Sequence, residues 1–125
     1  MKNKDKNTNP IIGCMAFVGD IYIGKEQKIN IDKEVLDSIH ICKIRSCNIE
    51  APLESDTPAV IKAGPSLQQN RSVISEVERN GFNLACLANN HIFDYGTKAL
   101  ELTLNTLHIP HIGAGMNQQQ ATQPY

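Results

Sequence analysis

Apolar runs and polar stops alternate along this chain so that strands and helices are predicted in turn. Ile11–Val18 is almost wholly apolar, as a strand covered on both faces should be, and Gly19-Asp20 closes it. Ile21–Ile29 carries no clear period. Asp32–His40 sets Val35, Leu36 and Ile39 on one side of a short helix. Lys43–Ile49 predicts a second strand, although Arg45 and Ser46 put polar groups where a central strand is usually apolar and are expected to weaken it. Pro52, Pro58 and Pro65 then punctuate an irregular extended stretch.

Ser66–Asn80 reads as a helix with Leu67, Ile74 and Val77 on one face, Ser66 as its N-cap and Gly81 just past its end. Phe82–Ala88 is a third strand. Gly96–Leu107 is a third helix, with Leu100, Leu104 and Leu107 at helical spacing. Ile109–Ile112 is a short fourth strand that stops at Gly113-Ala114-Gly115, and Met116–Tyr125 begins what reads as another helix. The order β-α-β-α-β-α-β predicts an α/β fold with mainly parallel strands and right-handed crossovers.

Composition changes this picture little. At 125 residues the chain is one domain or part of one, with a polar tail over 1–9 expected to be disordered and the domain over 10–125. A net charge of −1 and the absence of Trp argue against nucleic acid as a partner. No run of about 18 apolar residues is present to span a bilayer, and no convincing signal peptide opens the chain. Cys14, Cys42, Cys47 and Cys86 lie in or beside apolar strands and form no C-x-x-C pair. They read as buried free thiols, which points to a reducing, cytoplasmic setting.

The chemistry gathers at the strand ends. The first strand ends at Asp20, the second at Asn48-Ile49-Glu50, and the third at Asn90-His91. In a parallel sheet these ends share one edge, where ligands of open α/β sheets bind. Two carboxylates, amides and an imidazole form a mixed oxygen and nitrogen set that suits a divalent cation such as Mn, Fe or Zn. Each residue also has a structural reading. Asp20 after Gly19 makes a turn, Asn48 and Glu50 mark a solvated strand exit, Asn89-Asn90 is a turn pair, and His91 opens a helix. Asp94 reads as a helix cap or first-turn acid. The Gly113-Ala114-Gly115 run is not a dinucleotide fingerprint, and no G-x-S-x-G elbow is present.

Taken together, Phe17-Val18-Gly19-Asp20-Ile21, Cys47-Asn48-Ile49-Glu50-Ala51-Pro52-Leu53, Leu87-Ala88-Asn89-Asn90-His91-Ile92-Phe93-Asp94-Tyr95-Gly96 and His111-Ile112-Gly113-Ala114-Gly115 resemble, in order and spacing, the capsule-synthesis protein CapA family of bacteria. That family is similar to calcineurin-like metallophosphoesterases. The resemblance implies the first half of a four-layer α/β/β/α sandwich with a metal centre at the strand ends. It implies Asp20, Asn48, Glu50 and Asn90 as metal ligands, with Asn90 also meeting the substrate oxyanion. His91 would be the general acid or would stabilise charge on the phosphoryl group. A capsule polymer such as poly-γ-glutamate, or its synthetase, would be the partner, and family members are often associated with the cell envelope.

The sequence departs from the superfamily pattern at Tyr22, where a His is usual. Family members also continue past the position of Tyr125 with further histidine motifs. The expectation is therefore an N-terminal portion with an incomplete metal site. Independent catalysis is not expected, and self-association is expected through an uncovered sheet face. A metal-dependent phosphoesterase-type hydrolase and a truncated, non-functional remnant stand as alternatives.

Overall fold

The computed structural model describes residues 13–24 and 27–125, so the tail expected over 1–9 and the first residues of the predicted opening strand lie outside the described residues. The elements run β1 (Met15–Ile21), α1 (Lys33–His40), β2 (Ile44–Ile49), α2 (Ser72–Arg79), β3 (Leu84–Cys86), α3 (Gly96–Thr106), β4 (His111–Ile112) and α4 (Gln118–Ala121). The four strands form one sheet in the order β1-β2-β3-β4, and every neighbouring pair is parallel. The predicted fold class and element order hold. The register of β1 on β2 slips between Phe17 and Asp20, so that Phe17 lies beside Ser46 but Asp20 lies beside Asn48.

Right-handed crossovers between consecutive strands laid in sequence order put the connecting helices on one face of the sheet. The core is that covered face. Cys47, Ile49, Ala85 and Leu87 alternate toward it and meet Val73, Ile74 and Val77 of α2 and Leu100 of α3. Most of these side chains are wholly removed from water, and each Val, Leu or Ile among them contributes about 1.5–3 kcal/mol by burial. α1 is attached more loosely. It has no buried residue; Ile39 packs on the core while Val35 is exposed, contrary to the face predicted for that helix.

The opposite face differs from expectation. Exposure is concentrated on β1, where Met15 is 48% and Phe17 65% accessible, whereas Ser46 and Leu84 in the central strands are buried. The polar residues of β2 are hydrogen-bonded. Arg45 donates to the carbonyls of Gly81 and Cys42, and Ser46 Oγ meets Cys86 Sγ at 3.2 Å. Neither polar group that was expected to weaken the sheet is left without a partner where it enters the protein.

α2 begins six residues later than the pattern predicts. Ser66 is not its N-cap: the chain through Gln69 is extended, with Gln69 bridged to Leu53. The buried Gln69 amide accepts from Ile23 N and donates to Ala51 O at 2.6 Å. These long-range bonds satisfy backbone groups that a longer helix would strand, so tertiary contacts override local propensity. Gly81 ends α2 with φ +80°, the residue type and position expected of a helix stop.

Two cysteine assignments also change. Cys14 precedes β1 and Cys42 precedes β2; parallel pairing, with Lys43 N bonded to Cys14 O at 3.1 Å, brings their Cα atoms to 4.6 Å and the sulfurs are joined. That spacing falls within the range a disulfide spans. They are not free thiols, and the argument from free thiols to a reducing compartment does not apply to them. Cys47 and Cys86 do remain free. Burial, with Cys86 alongside, pushes the Cys47 thiol up to about 12, so it stays protonated and inert. Among the described residues no helix is long and apolar enough to cross a membrane.

β4 ends where Gly113 adopts φ +87°, and a Cβ there would lie 2.6 Å from the Ala88 Cβ and 2.9 Å from the Ala88 amide nitrogen. Gly113→Ala therefore combines backbone strain with a clash against the exit of β3. It is expected to lower stability by about 2–3 kcal/mol in a urea melt.

Candidate functional site at the strand ends

The ends of β1, β2 and β3 converge as the parallel order requires. Asp20 lies within the end of β1, one residue inside it, and faces Asn48 across the pair. The Asn48 amide nitrogen donates to Asp20 Oδ1 at 2.6 Å and to Glu50 Oε2 at 2.7 Å. Its carbonyl oxygen accepts from Asn89 Nδ2 at 3.1 Å. The orientation of this amide follows from its neighbours: two carboxylates need donors and one amide nitrogen needs an acceptor. One side chain thus holds two anionic groups together through a single NH₂.

Asn89 carries more of the site than its reading as a turn residue suggested. Its nitrogen also donates to Ile49 O at 2.8 Å, and its oxygen accepts from the amides of His91 at 3.0 Å and Ile92 at 2.8 Å. The side chain therefore folds the β3 exit back on itself and ties it to β2. Asn90 comes next, with an exposed side chain. The recorded bonds draw Asp20, Asn48, Glu50 and Asn89 into one network, and they do not include the Asn90 side chain.

His91 is held at the rim. Its Nδ1 lies 2.7 Å from Asp94 Oδ2, and its Nε2 lies 4.0 Å from Glu50 Oε1. The ring is 12% exposed and Asp94 2%. Asp94 is a buried hub and not a helix cap, correcting the sequence reading: Tyr95 occupies the cap position of α3 without a side-chain bond. The Asp94 carboxylate accepts from Lys62 Nζ, from the Leu67 amide at 2.8 Å and from His91. Burial alone would raise its pKa. The hydrogen bonds from Lys62, His91 and Leu67, with the Lys62 charge, outweigh that and hold the carboxyl below its usual range. Lys62 was invisible to pattern reading because it sits in the irregular proline-punctuated stretch.

A divalent cation is implied by the resemblance, and the donor set can be tested against it. Asp20 and Glu50 are drawn to the two hydrogens of one amide, the neutral counterpart of two carboxylates sharing a positive ion. Hard oxygen donors of this kind fit Mn²⁺ or Mg²⁺-like ions, and an adjacent imidazole widens the fit to Zn²⁺ or Fe²⁺. Among the described residues, however, no three of His, Cys, Asp and Glu are grouped to hold an ion by themselves. Amide oxygens or further ligands would have to complete the shell.

With this geometry in view, the comparisons with known proteins agree on one family. A family model described as bacterial capsule synthesis protein PGA_cap matches residues 14–125. The capsule biosynthesis protein CapA of Bacillus anthracis is 30% identical over 117 aligned positions, covering 82% of this chain and 28% of the relative. The chain spans under a third of the length of that relative. The match includes every strand end described above, and the chain belongs to the bacterial capsule synthesis protein family.

Proposed function

We propose that this chain serves the synthesis of a capsule-type polymer such as poly-γ-glutamate, and that it contributes the first strand ends of a metallophosphoesterase-like centre, with a four-layer sandwich as the complete fold. The observation that carries the reading is the Asp20–Asn48–Glu50 bridge with His91 braced at its edge by Asp94. Asp20, Glu50, Asn48 and Asn90 would hold the cation. When bound, it would supply charge neutralisation at a phosphoryl oxygen and a more acidic bound water. His91, with Nδ1 on Asp94, keeps Nε2 directed to the carboxylate cluster, where the doubly protonated ring would give its Nε2 proton to a departing oxygen.

Manganese binding followed by electron paramagnetic resonance tests the centre. The wild-type chain is expected to bind the ion, and Asp20→Asn and Glu50→Gln to weaken binding at least tenfold, about 1.4 kcal/mol or more. Unchanged affinity in both variants would sink the metal assignment. Phosphoesterase turnover that needs added metal and disappears in Asp20→Ala and His91→Ala would support catalysis.

A second reading makes the chain a non-catalytic accessory that holds the polymer or its synthetase. It is favoured by the lack, among the described residues, of a three-ligand His, Cys, Asp or Glu group. Polyglutamate binding that is indifferent to metal would select it. Self-association through Met15 and Phe17 on β1 belongs to either reading, since both lie exposed on one strand.

A further inference from the structure

The stretch from Thr57 to Leu67 has no regular structure, yet it is fastened to the β3–α3 turn at several points. Val60 N donates to Asp94 O at 2.8 Å, Leu67 N to Asp94 Oδ2 at 2.8 Å, and Thr57 Oγ1 to Tyr95 O at 3.0 Å. Lys62 is carried by this stretch. Its side chain is 26% exposed, its ammonium bonds Asp94 Oδ1, and it lies 3.4 Å from His91 Nδ1, a proximity and not a hydrogen bond once Nδ1 donates to Asp94.

An ammonium can only donate, and a carboxylate can only accept. Nδ1 bonded to Asp94 Oδ2 therefore carries the hydrogen, and in the neutral ring Nε2 keeps the lone pair. This choice depends on where the carboxylate is held. Lys62 fixes one oxygen of Asp94 and the Leu67 amide bonds the other. The groups that face His91 are Asp94 from its own turn, Lys62 from the 57–67 stretch and Glu50 from the end of β2. Of these, Lys62 alone is a cation, and it lies on the Nδ1 side of the ring.

We propose that Lys62 is a positioning residue: by pinning Asp94 it selects the Nδ1-protonated form of His91 and keeps Nε2 turned to the carboxylate cluster. Its importance to function rests on the reading of His91 as the proton donor, a role that needs a second proton on Nε2 while Nδ1 stays bonded to Asp94, but its effect on the ring does not.

The test is a two-bond ¹H–¹⁵N correlation spectrum of the imidazoles in the full chain, at a pH where the ring is neutral. The His91 signals are assigned by their absence in His91→Gln. Wild type is expected to show a single Nδ1-protonated tautomer. Lys62→Met is expected to show a mixture, and Lys62→Arg, which keeps the charge and a donor, to restore the single form. A single Nδ1-protonated pattern in Lys62→Met would overturn the proposal, as would a mixture in wild type. A second measurement covers a Lys62→Met chain that fails to fold. In wild type the Lys62 ammonium, assigned by its loss in Lys62→Arg, is expected to exchange its protons slowly enough to be resolved, and a fully averaged signal would overturn the proposal. Absent phosphoesterase turnover beside these spectra would count against the proposed function and leave Lys62 in its role.

Discussion

Asp94→Ala is expected to cost about 3–5 kcal/mol of folding stability at neutral pH, read from the urea midpoint and slope. The carboxylate is 2% exposed and is the meeting point of Lys62, His91 Nδ1 and the Leu67 amide. Removing it strands a backbone donor and leaves an ammonium beside an imidazole with no anion between them. The loss should depend on pH with a definite sign. The folded carboxyl lies below its usual value because its hydrogen bonds outweigh the opposing cost of burial. The unfolded carboxyl titrates near about 3.9. Its contribution is therefore complete above that value and drains away as the pH falls through the lower, folded value. The gap between wild type and Asp94→Ala should narrow in acid. A gap that stays constant down to strong acid would show that the carboxylate charge contributes nothing.

Asn89→Asp is expected to cost about 3–4 kcal/mol, although it replaces one atom by another of the same size. The Asn89 nitrogen donates to Asn48 Oδ1 and Ile49 O while its oxygen accepts two amides from the following turn. A carboxylate keeps the accepting side. On the donating side it sets an anion against two oxygens, near Asp20 and Glu50, which already share one amide. Asn89→Ala should cost less than Asn89→Asp, since it removes the bonds without adding repulsion. A melt in which Asn89→Asp is the more stable of the two would refute this account. Because Asn89 ties β3 to β2, the aspartate variant should also perturb the amide resonances of Asn48 and Ile49.

The sheet was legible because its signals are local. β2 and β3 bury alternate residues on the helix-covered face, and β1 packs Val18 and Ile21 partly against the same core, so short apolar runs mark them. The start of α2 was not legible, since it is decided by Gln69, whose amide bonds Ile23 and Ala51 far away in sequence. The site was half legible for the same reason. Asp20, Asn48, Glu50 and His91 stand at strand ends, where the parallel order predicts a shared edge, and the structure brings them together. Asn89 and Asp94 looked like turn and cap residues because those roles use the same side chains. Only their partners show otherwise. Lys62 lies 32 residues from Asp94 in a stretch without period, and no spacing rule connects them. The Cys14–Cys42 pair was missed because the residues lack a motif spacing and meet only through strand pairing.

The slip in register between Phe17 and Asp20 decides the direction of a carboxylate. In a regular strand, residues of equal parity share a face, and Met15 and Phe17 point away from the helices. Continued unbroken, that alternation would set Gly19 beside Asn48 and send Asp20 under the helices, next to the core side chain of Ile49. One extra residue in β1 reverses the parity, so Asp20 emerges on the side of Asn48 while Ile21 takes the place beside Ile49. The acid is aimed by counting and not by its neighbours. An insertion or deletion of a single residue in this short stretch would choose between a charge at the site and a charge in the core, even with every side chain of the strand unchanged.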